Sequence, residues 1–336
     1  MDIVAQASER LKGRNSKVIF TECTDERILK AARILKDKKI CNPILLGNPE
    51  EILAATDLLG ISVDDFSVFN SGNQEWMEEY ARLYHQAVPM YSEKNILKKM
   101  KNPLNYAAML VKIGYGDCLA SGVVNPTGDV VLAAQQFIGI KEGISTISSI
   151  GLQICRRFDS SGEMQVIGVS DCAINAAPDA GQLAGIAITS AESYQNITGC
   201  EARVALLSYS TMGSSDGLSV QLVQEAVRLA NERRPDIIIE GEFQIDAALV
   251  PQIAARKIKV ESKVAGKANV LIFPDLDAGN IAVKCMQMFG EGASYGPLLQ
   301  GFSRPVTDFS RAATVQDVVG NVTLCLLQED KYEERV

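Results

Sequence analysis

At 336 residues, 47% hydrophobic and 22% charged, the chain has the material for two globular domains with full apolar cores. A net charge of -8 argues against nucleic acid as a partner, and the absence of any run of about 18 apolar residues argues against a membrane span. Eight cysteines without a CxxC pair show neither zinc spacing nor a disulfide framework, and a single histidine, His85, gives little support to a Ser-His-Asp triad, a Cys-His dyad or a multi-histidine metal site.

His85, in EYARLYHQA, reads as a helix-surface residue, and the cysteines read as small apolar core residues of a protein kept in a reducing cytoplasm. The N-terminal MDIVAQASERLKGRNSK lacks the apolar stretch of a signal peptide.

Short β-rich runs alternate with amphipathic stretches. Strand Lys17–Glu22, helix Asp25–Lys36, strand Asn42–Gly47, helix Glu50–Leu59 and strand Phe66–Asn70 come first. Helical sequence then runs from Gln74 to about Lys112, broken near Pro89 and Pro103 into at least three helices. A strand at Asp117–Gly122, a polar NPTG turn and a helix at Asp129–Phe137 follow.

The character changes at Ile144. Ile144–Cys155 and Met164–Cys172 flank a DSSGE turn and read as an antiparallel pair, which puts a domain boundary near residue 145. Alternation then resumes: helix Ala180–Tyr194, strand Ala202–Ser210, helix Leu218–Arg233, strand Asp236–Glu242, helix Ile245–Lys257, strand Asn269–Pro274, helix Gly279–Phe289 and a last helix Val315–Gln328. Repeated strand–helix units with continuously apolar strands indicate an α/β fold, its parallel sheet covered on both faces.

In such sheets ligands bind beyond the carboxyl ends of the strands, here the loops after Leu119, Leu207, Ile239, Phe273 and Leu299. The first carries Asn125, Thr127 and Gly128 before a helix, where backbone N–H groups can face a phosphate or simply close a strand–turn–helix connection. The loop Ser208–Ser215, with Ser210 and Thr211, is small and polar enough for a phosphate or a pantetheine chain but has no P-loop lysine. Asp275 and Asp277 at a strand end are more readily explained by capping, from Asp277, than by a metal. The segment Gly296–Val319 joins an apolar turn to Ser310, Arg311 and, inside a helix start, Asp317. A hydroxyl, a guanidinium and a carboxylate so close together suit a reaction that holds a phosphate, stabilises an oxyanion and deprotonates a nucleophile, although capping and solvated charge also account for them.

Several blocks, in order, resemble phosphate acetyltransferases: DCAI at Asp171–Ile174, SAES around Glu192, VALLSYST at Val204–Thr211, RPDIIIEGEFQ at Arg234–Gln244, GKANVLIFPDLDAGN at Gly266–Asn280, and Gly296–Val319. The resemblance implies two α/β/α domains with a cleft between them, of the isocitrate/isopropylmalate dehydrogenase kind: 1-145 completed by 304-336, and 146-303. It also implies a homodimer. It implies reversible transfer of an acetyl group between coenzyme A and phosphate, with acetyl-CoA, phosphate and acetyl phosphate as substrates and no separate cofactor or metal. Asp317 would be the base for the thiol, Ser310 the oxyanion donor and Arg311 the phosphate ligand, with Asn125, Thr127, Gly128, Ser210, Thr211 and Arg304 lining the substrates.

Where the family usually has arginines, this chain has Leu132, Met288 and, in a looser alignment, Tyr84; Asn125-Pro126 stands where a His and a small hydroxyl residue are common. Arg304, Lys284, Arg156 and Arg157 are the cations left to compensate. The alternatives are a longer acyl substrate, a metal- and NAD(P)-dependent dehydrogenase on the same architecture, and a degenerate member that binds coenzyme A without turnover.

Overall fold

The computed structural model describes residues 2–329. Residue 1 and residues 330–336, the extremes of the expected first domain, lie outside the described residues. The described residues form two compact units: 2–142 with 302–327, and 143–301 with 328–329.

The chain starts the first unit with α1 (Ile3–Leu11), β1 (Lys17–Phe20), α2 (Glu26–Asp37), β2 (Asn42–Gly47), α3 (Pro49–Leu58), β3 (Ser67–Asn70), α4 (Gln74–Ala87), α5 (Glu93–Met100), α6 (Pro103–Lys112), β4 (Cys118–Ser121) and α7 (Thr127–Ala133). It then builds the whole second unit: β5 (Ser148–Arg156), β6 (Met164–Ser170), α8 (Ala180–Thr198), β7 (Arg203–Leu207), α9 (Leu218–Arg233), β8 (Ile238–Phe243), α10 (Ile245–Leu249), α11 (Pro251–Lys257), β9 (Val270–Ile272), α12 (Leu276–Phe289) and β10 (Ser294–Gln300). It returns to the first with β11 (Val306–Asp308) and α13 (Val315–Cys325).

In the first unit the strands run parallel in the order β3-β2-β1-β4-β11, so all five send their carboxyl ends to one edge. Their apolar runs are buried on both faces, as sequence without alternation requires. The helices start where capping chemistry allows. Asp25 accepts the Arg27 N–H at 2.9 Å, and α2 then buries Ile28, Leu29, Ala31, Ala32 and Leu35 as one stripe.

In the second unit the order is β10-β5-β6-β9-β7-β8, with β5 antiparallel to both neighbours and the rest parallel. Period-two alternation sorts β6: Gly168 lies against Tyr194 of α8, while Ile167 and Val169 enter an apolar cluster with Phe243, Leu271 and the inner side of α12.

Some expectations change. Ile245–Lys257 is two helices, because Pro251 has no N–H to continue the first and instead opens the second. The expected apolar turn at Gly296 is part of a strand, and β11 and α1 are further elements that the pattern did not indicate. Residues 144–147 are not yet strand; pairing begins at Ser148. The cap of α12 is Asp275, which accepts the Ala278 N–H at 2.8 Å, and not Asp277.

α12 also explains its own AGN sequence. Asn280 Nδ2 donates to the Cys172 carbonyl at 3.1 Å, and a Cβ on Gly279 would lie 2.2 Å from the Asp171 carbonyl oxygen. Inside an exposed helix, Gly→Ala stabilises by roughly 0.5–1 kcal/mol. Here backbone contact reverses the sign: Gly279→Ala should destabilise by about 2–3 kcal/mol in urea unfolding, and a gain in stability would show that α12 can move off the β6 turn.

Candidate active site

The parallel register sets Phe20 beside Ala120 and Asp308 beside Ser121, so the loops after β1, β4 and β11 emerge together. Each is anchored by side chains from another. Glu22, buried just past β1, accepts four successive backbone N–H groups of the β4 loop: Gly122 and Val123 on Oε2 at 2.9 and 3.0 Å, Val124 and Asn125 on Oε1 at 2.8 and 2.6 Å. Asn125, one of the residues whose N–H the sequence offered to a phosphate, is among the four. All four are already held by an internal carboxylate, so at Gly122–Asn125 an incoming anion meets side chains rather than free amides. Asn125 Nδ2 donates to Ser121 Oγ at 3.0 Å, and Thr21 Oγ1 donates to the same hydroxyl at 2.9 Å.

Arg27, at the start of α2, joins the loops. It is paired with Asp25 at 2.8 Å, which holds the Asp25 carboxyl below the usual carboxylate range. Its guanidinium also donates to the carbonyls of Arg311 at 2.7 Å, Ala313 at 3.2 Å and Val123 at 3.3 Å. One side chain therefore fixes both sides of the Phe309–Thr314 loop relative to the β4 loop.

Ser310 and Arg311 are exposed on that loop. Ser310 is not a helix cap: its Oγ accepts the Ala312 N–H at 3.2 Å in a local turn, and its carbonyl accepts from Ala313 at 2.8 Å. The cap of α13 is Thr314, in a capping box with Asp317. Asp317 Oδ2 accepts from Thr314 N and Oγ1, both at 2.8 Å. Among the described residues Oδ1 receives no hydrogen bond, and the residue is half-buried.

Thr127 is half-buried and Gly128 exposed at the start of α7. Thr127 Oγ1 lies 2.5 Å from Oδ2 of Asp308, a buried carboxyl that sequence reasoning passed over. Burial pushes Asp308 up to about 7; its bond with Thr127 works against the rise and the nearby Glu22 charge adds to it. Gly122, at φ 121, allows the close approach: a Cβ there would lie 2.3 Å from Asp308 Oδ1 and 2.4 Å from Phe309 N. An acid ending an apolar run, as in KVIFTE and PVTD, was the available signal for Glu22 and Asp308.

Arg304 precedes β11, at the opposite edge of the sheet from Ser310, and the structure does not bring the two together. Ser210 and Thr211 lie in the second unit, buried in the loop after β7. Ser210 Oγ donates to Glu242 Oε1 at 2.8 Å and accepts from Ser215 N at 3.1 Å; Thr211 Oγ1 donates to Gln244 Oε1 at 3.3 Å. Burial raises the Glu242 carboxyl, but the bonds from Gly213 N–H, Ser210 and Gln224 outweigh it and hold the group below its usual range.

Of the other cations, Arg157 pairs with Asp159 and Glu163, and Lys284 reaches Gln287 at 3.4 Å. Asp246 is paired with Lys257 at 2.7 Å. Leu132 and Met288 are exposed, whereas Tyr84 is buried and donates to the Phe137 carbonyl at 3.0 Å. His85, half-buried, binds the Tyr91 carbonyl through Nδ1 at 2.7 Å.

The Glu22 bonds should dominate the stability of this edge. Removing the carboxylate leaves four loop N–H groups without their acceptor, so Glu22→Ala should cost at least about 3 kcal/mol in chemical denaturation and expose the β4 loop to limited proteolysis. A cost below about 1 kcal/mol would mean that water replaces the carboxylate without penalty.

Comparison with known proteins covers almost all of the chain. The family model described as Phosphate acetyl/butaryl transferase matches residues 2–326. A phosphate acetyltransferase from Acetivibrio thermocellus is 37% identical over 336 residues, covering 98% of both chains. Among solved structures, a phosphotransacetylase from Staphylococcus aureus superposes with a TM-score of 0.87 at 35% identity, covering 98% of each chain. One from Streptococcus pyogenes does so with 0.88 at 34%, covering 97% of each. Matches of this identity and extent, with Ser310, Arg311 and Asp317 on one loop–helix corner, make the chain a member of the phosphate acetyltransferase family.

Proposed function

We propose that Asp317, Ser310 and Arg311 carry the chemistry of an enzyme that transfers an acetyl group reversibly between coenzyme A and inorganic phosphate. In the direction of acetyl-CoA formation, Asp317 takes the thiol proton, the sulfur attacks the carbonyl carbon of acetyl phosphate, the C–S bond forms and the C–O bond to phosphate breaks. Ser310 donates to the carbonyl oxygen as charge develops on it, and Arg311 holds the phosphoryl group through paired donors. No covalent protein intermediate is needed when both substrates are held in line.

The observation that carries this reading is the division of labour in the Asp317 carboxylate. Oδ2 is used for the Thr314 capping box, which locks the side chain, while Oδ1 remains for a proton. Arg27 supports the same corner by holding the backbone on which Arg311 stands. Asn125, Thr127 and Gly128 border the acyl phosphate in this reading. Ser210 and Thr211, whose hydroxyls are engaged in their own loop, would act on a substrate through the shape of that loop.

We also propose that the two compact units are the two domains of the fold, and that the protein works as a homodimer in the cytoplasm. Eight free cysteines suit a reducing compartment. α12 leaves Ile281, Met288 and Phe289 exposed, as a helix covered by a second copy would, and closed two-fold dimers are the commonest oligomer. Light scattering should give twice the chain mass; the mass of one chain would refute the dimer.

Asp317→Asn keeps the shape and the Thr314 contact but cannot take the proton. It should fold and bind coenzyme A almost normally, with turnover reduced at least about a hundredfold. Ser310→Ala should lower turnover with little change in coenzyme A affinity, and Arg311→Gln should also raise the KM for phosphate. Near-wild-type turnover by Asp317→Asn at saturating substrate would remove the base assignment. Running acetyl-, propionyl- and butyryl-CoA side by side tests acyl length, a question that the exposed Leu132 keeps alive.

A further inference from the structure

We infer that Asp308 is a positioning residue that sets whether Thr127 offers a substrate phosphoryl group a hydrogen or a lone pair. This rests on the reading that Asn125–Gly128 borders the acyl phosphate. Asp308 is 1% exposed and cannot meet a ligand itself. It acts through Thr127, the one hydrogen-bond partner of its side chain among the described residues, whose hydroxyl lies 2.5 Å from Oδ2 and whose half-buried position leaves it reachable. The other carboxyl oxygen, Oδ1, is buried with no hydrogen-bond partner among the described residues. An ionised carboxylate seldom tolerates that, whereas a neutral carboxyl does so more easily.

The hydrogen between two oxygens at this distance belongs to one or the other, and the choice has consequences. A neutral Asp308 donates its O–H to Thr127 Oγ1, which turns the threonine hydrogen outward to an anionic oxygen. An ionised Asp308 takes the threonine hydrogen for itself and leaves only lone pairs facing the anion. The first state recruits a phosphoryl group and the second repels it.

The groups facing Asp308 make the neutral state accessible near neutrality. Burial pushes the carboxyl up to about 7 against the bond from Thr127, and the negative charge of Glu22, just past β1, adds a smaller rise. β4 contributes Ser121 and Gly122, which are uncharged, and α7 contributes the Thr127 hydroxyl. α13 has one charged residue, Asp317, and it is engaged with Thr314. α7 also carries the exposed Asp129, and the cations of this surround are Lys17 at the amino end of β1, the exposed Arg311 on the loop after β11, and Arg27, which is paired with Asp25.

The test uses the acetyl-CoA-forming direction, because acetyl phosphate, unlike inorganic phosphate, does not itself titrate near neutrality. KM and kcat for acetyl phosphate are measured from about pH 6 to about pH 9 for the wild type, Asp308→Asn, Thr127→Ser and Thr127→Val, with melting curves to show that each is folded. In the wild type KM should rise about tenfold as the pH passes 7, with a smaller change in kcat. Asp308→Asn donates permanently and should keep a low KM throughout. Thr127→Ser should retain the rise, and Thr127→Val should show a high KM with no rise. If Asp308→Asn retains the pH-dependent limb while Thr127→Val raises KM, the role of Asp308 is overturned and the substrate loop stands. If Thr127→Val binds acetyl phosphate like the wild type, both fall. Should Asp308→Asn not fold, a limb that survives in Thr127→Val would itself overturn the inference.

Discussion

Buried carboxylates that clasp backbone N–H groups hold the loops at the strand ends of this protein in place. Glu22 takes four amides of the β4 loop; Asp171, just after β6, accepts from the N–H groups of Ser149, Ala173, Ile174 and Asn175; Glu242, at the end of β8, accepts from Gly213 and Ser210. Each acid stands where a parallel strand ends, and a loop leaving such a strand has amides that no sheet neighbour satisfies. An ionised carboxylate satisfies several of them at once, with charge-assisted bonds worth about 1.5–3 kcal/mol each. These loops are thus built on anions of the protein's own.

That arrangement shapes how an acidic protein can recognise phosphate. The amides of Gly122, Val123, Val124 and Asn125 face Glu22, so at that stretch an anion would have to be met by side chains projecting from a rigid loop. Arg27 gives the rigidity: by bonding to the carbonyls of Arg311, Ala313 and Val123 it fixes the base from which Arg311 extends. Preorganisation of this kind matters more than contact number, because a loop that must be ordered during binding spends interaction energy on its own entropy.

The positions where family arginines are missing do not form one class. Tyr84 is a core residue that closes a hydrogen bond to Phe137, so it serves packing between α4 and the end of the α7 segment. Leu132 and Met288 stand in solvent. An exposed position can exchange a cation for an apolar side chain at little cost in stability, which makes it free to vary with substrate or partner.

The sequence by itself determined the α/β class, most elements and the family. β2 and α9 have the bounds that their patterns indicate, because a continuous apolar run and a 3.6-residue stripe are local signals. It also put Ser310, Arg311 and Asp317 together, since they are close in the chain. Tertiary structure decided the rest. β10 and β11 are strands because of their neighbours; three residues such as Val306–Asp308 carry no period to read. Glu22 sits 100 residues from the first amide it holds, and Asp308 lies 181 from Thr127, so no spacing could announce either contact. An acid at the end of an apolar run looks the same whether it faces water or four amides, and only the packed sheet edge decides which.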